Sequence, residues 1–333
     1  MTDRRARRRA LWRMAAAAVA GLSLSGCAVR AGALAPKGPG ARRAEFEFWL
    51  MTTVSAAIFV LVCVVLVWGM IRRPKSGEQE GYGRSGRLMI FGGGIAMPVV
   101  VLLGLMGVNV YMLAAEPEQG DLVLEVTGYQ FWWEFHYPEL GVVTANEVHI
   151  PVGRRVELRV TSVDVIHSFW VPELHGKIDV FPGRTNTWVI EAEEPGVYRG
   201  QCAEFCGLQH ANMALYVIAD EPAVFDAWAE HEAAPASPPT TALARLGLRV
   251  MQSSSCAGCH AVRGTTADGQ LGPDLTHFAS RETIGAGTVP NDRGHLAGWL
   301  LDAQAIKPGS LMPPVPLAPD DLHALVEYIE TLE

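Results

Sequence analysis

The chain has 333 residues, 49% of them hydrophobic, and a net charge of −8. That length allows two or three small domains, and the high apolar share directs attention to membrane spans. The charge is divided: residues 1–115 carry 15 Lys+Arg against 5 Asp+Glu, and residues 116–333 carry 12 against 30. An acidic second part argues against nucleic acid as a partner and suits a basic protein.

In chain order, an arginine-rich start precedes a short apolar run, Met14 to Leu24, that ends in Leu24-Ser25-Gly26-Cys27. This ending resembles the lipobox of bacterial lipoprotein signals. The resemblance implies removal of residues 1–26 and a lipid on Cys27; an uncleaved apolar start is the alternative. Residues 27–45, rich in Pro, Gly and Ala, read as a linker.

Phe48 to Ile71 carries no charge, and at ~1.5 Å per residue its 24 residues can cross a bilayer. Leu88 to Ala115 is a second uncharged run, with Pro98 inside it. Residues 46–115 therefore read as a two-helix transmembrane hairpin. Arg72, Arg73, Lys75, Arg84 and Arg87 lie between the runs and mark that loop as cytoplasmic. Everything beyond Glu116 then lies outside the cytoplasm. Cys63, mid-span, reads as an apolar filler.

Beyond Glu116 the pattern changes to short alternating runs, at Leu122–Thr127, Glu147–Val152, Val156–Val160 and Trp188–Ala192, with Pro-Gly turns between them. This predicts a β-sandwich over 116–232. Pro235, Pro238 and Pro239 mark a linker over 233–241. Leu243–Gln252, His295–Ala305 and Asp320–Leu332 read as the helices of a small domain over 242–333. The expected fold class is a multi-domain membrane protein, with a two-helix hairpin, a β-sandwich and a small helical domain.

Two segments carry the chemistry. In Gly200-Gln-Cys-Ala-Glu-Phe-Cys-Gly-Leu-Gln-His-Ala-Asn-Met213, the residues Cys202, Cys206, His210 and Met213 fall at spacings of 4, 4 and 3. Thiolate, imidazole and thioether suit copper, whereas magnesium and calcium take oxygen ligands. Two thiolates allow two bridged coppers, and a second, distant imidazole is then required; His167 is the candidate. Zinc, which would not need Met213, and a Cys202–Cys206 disulfide are the alternatives. The second segment, Cys256-Ala-Gly-Cys-His260, is the C-x-x-C-H pattern of covalent haem c attachment.

Residues 45–232 closely resemble subunit II of haem–copper cytochrome c oxidases. The resemblance rests on the hairpin, Gly128-Tyr-Gln-Phe-Trp-Trp-Glu-Phe-His-Tyr-Pro138, Asp164-Val-Ile-His-Ser-Phe-Trp170, Phe181-Pro-Gly-Arg184 and the Cys202–Met213 loop. It implies a cupredoxin fold and a dinuclear copper centre. The implied side-chain ligands are His167, Cys202, Cys206, His210 and Met213, with Glu204 binding through its backbone carbonyl. The Glu204 carboxylate would also reach a magnesium ion shared with subunit I. Phe131-Trp132-Trp133 matches the family's electron-input patch. Phe131 stands where tryptophan is frequent, which makes Trp132 the nearest substitute, while Trp133 suits the core. Between Leu88 and Pro98 there is no glutamate to open a proton path.

Residues 242–333 are similar to class I cytochromes c. Here Gly272-Pro-Asp-Leu275 would orient His260, and Met312, in Gly309-Ser-Leu-Met-Pro-Pro314, is the implied sixth ligand, with His277 and His295 as rivals. The fused arrangement resembles caa-type oxidases. It implies electron transfer from cytochrome c, including the chain's own haem c, through copper to subunit I. There oxygen would be reduced to water, coupled to proton translocation; this chain has no catalytic oxygen site of its own. Implied partners are subunit I, other oxidase subunits, an external basic cytochrome c and membrane lipid, at a bacterial inner membrane with the copper and haem domains on the periplasmic side. The copper subunit of a nitric oxide reductase of the same superfamily is an alternative, and a copper-trafficking lipoprotein a more distant one.

Overall fold

The computed structural model describes residues 32–71, 83–114 and 119–333. Cys27 with its signal-like run, and Arg72, Arg73 and Lys75 of the loop, lie outside the described residues.

Helix α1 spans Pro39–Ile71. The second long helix is composite: α2, Arg84–Leu88, a π-helical stretch, Met89–Ala96, and α3, Met97–Ala114. The widening has a local cause. Pro98 has no N–H to offer the preceding turn, and Met97 N–H reaches back to Gly92 O. Both helices turn apolar side chains outward, Phe59 and Ile71 among them. Both are long and apolar enough to cross a membrane.

Of the stretch 27–45, expected as linker, residues 39–45 are helical instead, because α1 opens at Pro39. Charged residues 42–47 hide the start of the helix from a search for apolar runs. The outer end of α1 is docked on the sandwich. Ala41 N donates to Leu174 O at 3.0 Å and Lys37 N to Glu173 O at 2.7 Å. Lys37 pairs with Glu194 at 2.5 Å, and Arg42 grips both carboxylate oxygens of Glu193. A Cβ on Gly38 would lie 2.3 Å from Glu191 O, so only glycine permits this approach.

The β-region forms two five-stranded sheets. One has the order β3-β2-β1-β5-β8, and the other β4-β10-β9-β6-β7. The strands are β1 Leu122–Tyr129, β2 Trp132–Tyr137, β3 Val142–Ala145, β4 Glu147–Pro151, β5 Val156–Ser162, β6 His167–Trp170, β7 Ile178–Val180, β8 Asn186–Ile190, β9 Gly196–Cys202 and β10 Ala214–Asp220. β1 runs parallel to β5, and β4 to β10. Alternation puts Leu124, Val126, Leu158 and Val160 into the space between the sheets, with Trp133, Phe135 and Tyr137 from β2. This is the β-sandwich expected from the alternating runs, and its two sheets have the cupredoxin-like form that the resemblance implies.

Helix α4, Pro222–Ala233, ends the sandwich, and an extended segment leads to the small domain. There α5, Ala242–Ser253, α6, Arg293–Ile306, and α7, Pro319–Ile329, enclose a core of Met251, Leu296, Leu325 and Tyr328. A two-stranded ribbon, β11 Thr283–Ile284 with β12 Val289–Pro290, joins them. Thr241 Oγ1 caps α5 by accepting from Ala244 N at 3.0 Å. Helix α6 breaks at Asp302, whose carboxylate accepts from Gln304 N at 3.0 Å and caps a fresh turn. α5 crosses α7 at Gly247, where a Cβ would meet Ala324 O at 1.9 Å.

Candidate metal centre

Three adjacent strands of the second sheet assemble the sulfur–imidazole cluster. His167 opens β6, Cys202 closes β9, and Met213 immediately precedes β10. The intervening loop folds Cys206 and His210 back over them. Cys202 Sγ lies 3.9 Å from His167 Nδ1 and 3.8 Å from Cys206 Sγ. Cys206 Sγ is 3.6 Å from His210 Nδ1 and 3.8 Å from Met213 Sδ. Glu204 O lies 3.2 Å from Cys202 Sγ. The six candidate ligands thus form one connected run of contacts, in which the donor atoms of His167, Cys202 and Cys206 converge closely enough to share an ion. The two sulfurs stand well beyond the ~2.05 Å of a disulfide. Their spacing instead suits two thiolates facing shared soft metal ions, with an imidazole at either end.

Electrostatics prepare the cluster for a cation. Donation from Cys206, His167 and the neighbouring backbone lowers the Cys202 pKa, and the thiolate beside it raises that of Cys206. Burial disfavours a charged His167, but its hydrogen bonds to Cys202 and Asp164 outweigh that and leave its pKa raised. Asp164 was not among the residues given a role by the sequence. Its Oδ1 accepts from His167 Nε2 at 2.8 Å, which turns Nδ1 toward the sulfurs. Gln130 was missed as well: its N–H donates to Asp164 at 2.7 Å and its side-chain amide to Cys206 O at 2.6 Å. The Asp164-x-x-His167 spacing held a signal for the first; nothing local in sequence pointed to the second.

Cys256, Cys259, His260 and Met312 line one cavity of about 410 Å³ between the small domain and the sandwich. His260 is oriented by its Nδ1–H, which donates to Pro273 O at 2.8 Å and leaves Nε2 for a metal. Burial lowers the His260 pKa, which favours the neutral, ligating imidazole. Gly272 lets the chain pass over that ring; a Cβ there would lie 2.5 Å from it. Arg281 also lines the cavity, and its Nε is buried without a hydrogen-bond partner. Such a donor suits a carboxylate of a bound haem. Met312 is held through its carbonyl by Gln304 Nε2 at 2.8 Å. The rival histidines are engaged elsewhere. His277 points its ring nitrogens at Glu333 O and Ala234 O, and His295 pairs with Asp292 at an exposed helix start.

The same cavity is lined by Phe131 and Trp132. Phe131 is buried beside Gly207 of the cysteine loop, and Trp132 is half-buried and stacked on Tyr129 at 4.3 Å. Trp133 lies in the core, edge-on to His167 and Phe169. The small domain therefore sits directly on the aromatic patch of the sandwich.

An apolar hairpin bearing a sandwich with a thiolate–imidazole cluster, joined to a C-x-x-C-H domain, defines a membrane-anchored electron-transfer protein. Residues 141–220 match the family of the cytochrome c oxidase subunit II periplasmic domain, and residues 244–333 match the cytochrome c family. A cytochrome c oxidase subunit 2 of Alkalihalophilus pseudofirmus is 38% identical over 316 residues, covering 90% of both chains. Another, from a Bacillus species, is 32% identical, with 65% of this chain and 64% of that protein covered. The solved periplasmic domain of subunit II from Bradyrhizobium japonicum is 33% identical over 34% of this chain and 94% of its own, with a TM-score of 0.34. The chain belongs to the cytochrome c oxidase subunit 2 family. It is a membrane protein with an extracytoplasmic domain and an electron-transfer subunit of a haem–copper oxidase. Its two matched domains imply copper and haem, and its family implies association with the other oxidase subunits and an electron donor.

Proposed function

We propose that this subunit takes electrons into its own haem c domain and passes them, through a dinuclear copper centre, to haem in subunit I. There oxygen is reduced to water and protons are translocated. The observation that carries this reading is the shared cavity. The haem-attachment residues and the aromatic pair Phe131–Trp132 line one space, and Gln130, next in the chain, is hydrogen-bonded to Cys206 O.

In this reading Cys202, Cys206, His167 and His210 would hold the pair of coppers. Met213 and the Glu204 carbonyl complete the set, and the Glu204 carboxylate reaches a magnesium ion at the subunit I interface. A copper pair sharing one electron supplies fast transfer with little change in geometry. The protein's part is to hold the donors still, exclude water by burial, and fix the His167 tautomer through Asp164. In the small domain Cys256 and Cys259 anchor the haem, and His260 and Met312 hold its iron. A thioether ligand keeps the potential high. Phe131 and Trp132 receive the electron.

The external donor is a basic cytochrome. Residues 116–232 carry 6 basic and 20 acidic side chains, so the encounter is salt-sensitive. The membrane is the bacterial inner membrane, with Cys27 lipidated on its outer side.

Replacing Cys202 with Ser in the full complex tests the copper assignment. A hydroxyl is a harder and poorer copper ligand than a bridging thiolate. The two-copper spectrum is expected to disappear while haem c stays attached. An unchanged two-copper spectrum in that variant overturns the ligand set.

A further inference from the structure

Between the two extracytoplasmic domains lies a buried lysine that the redox chemistry does not use. Lys307 follows the last turn of α6, and only 2% of its surface is exposed. An ammonium has three N–H groups, and all three are matched here. Lys307 Nζ donates to Phe131 O at 3.0 Å, to Asn212 O at 2.7 Å and to Gly285 O at 2.7 Å. Those carbonyls belong to three separate segments: the aromatic patch, the residue before Met213, and the small domain's own ribbon turn. No carboxylate pairs with Lys307 among the described residues.

The same seam carries a second contact of opposite sign. Glu147, at the start of β4, is buried on the sandwich side. Its carboxylate accepts from Glu282 N and Thr283 N at 2.8 Å each, and from Thr283 Oγ1 at 2.5 Å. One domain thus sends a cation into the other's carbonyls and receives an anion on its own amides.

We infer that Lys307 and Glu147 form a two-point lock that fixes the haem domain against the aromatic patch and the copper loop. The inference rests on the haem-to-copper route proposed above. Lys307 and Glu147 are positioning residues, since neither touches a metal ligand. Their effect is on register more than on affinity. Net hydrogen-bond free energies are small, because both partners are solvated when the domains part. A docking shifted along the seam, in contrast, leaves a buried ammonium short of acceptors and a buried carboxylate short of donors, which is costly. The observed register gives Lys307 Nζ three carbonyl acceptors and the Glu147 carboxylate three donors. That arrangement stands on geometry even though burial lowers the Lys307 pKa to about 7. The fixed register matters because electron transfer falls steeply with the gap between the centres.

The test uses the intact oxidase with Lys307→Met, and separately Glu147→Gln. Each variant is followed by time-resolved absorbance of copper reduction after rapid reduction of haem c. Redox titration and hydrogen exchange of segments 208–214 and 282–288 complete the comparison. The lock predicts a haem-to-copper phase slowed about tenfold or more, since a misplacement of about 1 Å can cost ~100-fold where groups must be held in register. It also predicts faster exchange in both segments, with the haem and copper potentials and spectra unchanged. Rates and exchange equal to wild type in both variants overturn it, as does a slowing explained by a shifted potential. If wild type itself shows no haem-to-copper phase, the electron route fails. A normal wild-type phase that both variants keep removes the lock alone.

Discussion

Asp164 Oδ1 accepts a hydrogen bond from His167 Nε2 at 2.8 Å, so the other ring nitrogen faces Cys202 Sγ at 3.9 Å. The carboxylate also accepts from Gln130 N and Val165 N, which fixes its own position. Replacing Asp164 with Ala frees the imidazole to rotate and to change tautomer. Loss of such an outer partner weakens metal binding by about 10–100-fold. Copper retention against a graded chelator should fall by that factor, with the haem domain unaffected. Retention equal to wild type would remove Asp164 from the site.

Met312 and His260 line the same cavity, whereas His277 and His295 are tied to other groups. Met312→His should leave the haem covalently attached through Cys256 and Cys259. It should lower the haem potential, because a second imidazole favours ferric iron more than a thioether does. Redox titration with the absorbance band of ferric Met ligation checks both points. An unchanged potential and band would place the sixth ligand elsewhere.

Gly247 shows how magnitudes decide the sign of a substitution. Gly to Ala inside an exposed helix gains up to ~1 kcal/mol from propensity. Here the new Cβ would lie 1.9 Å from Ala324 O, with Tyr328 also close. Overpacking of a fitted contact costs about 1–3 kcal/mol or more, so destabilisation wins. Gly247→Ala should lower the thermal midpoint of the haem domain, read by loss of its near-ultraviolet signal. A midpoint at or above wild type would contradict the crossing of α5 and α7.

Arg42 holds Glu193 in a two-pronged pair at the foot of α1, and that hydrogen bond lowers the Glu193 pKa. The sign follows from linkage. A depressed carboxylate pKa contributes docking stability that is present above the undocked value of ~4.3 and is lost as pH falls through the docked value. The contact is largely exposed, so the effect is small and salt-sensitive. Protection of amides 40–44, with the intrinsic pH dependence of exchange divided out, should fall in wild type as pH drops through the docked value. In Glu193→Gln that protection should already be low at neutral pH and change little with acid. Equal exchange in both proteins at neutral pH would refute the anchor.

Features whose determinants lie close together along the chain are legible in the residues alone. Two long uncharged runs state the hairpin, alternation states β1, β4 and β5, and Pro235 to Pro239 separate the domains. Cys202, Cys206, His210 and Met213, like Cys256, Cys259 and His260, announce their chemistry by spacing, because one loop must bring them to one centre. Tertiary structure decided whatever depends on segments far apart in sequence. Helix α1 begins early, at Pro39, because residues 37–42 find partners at 173–174 and 193–194. Asp164 and Gln130 acquire roles only when β6, the aromatic turn and the cysteine loop meet. The engagement of His277 with Ala234 and Glu333 leaves Met312 facing the cavity. Nothing in the sequence around Lys307 sets it apart. It is buried only because the domains close over it, and three carbonyls from three segments then satisfy its charge. Such a site is specified by a complementary surface, and local periodicity carries no trace of it.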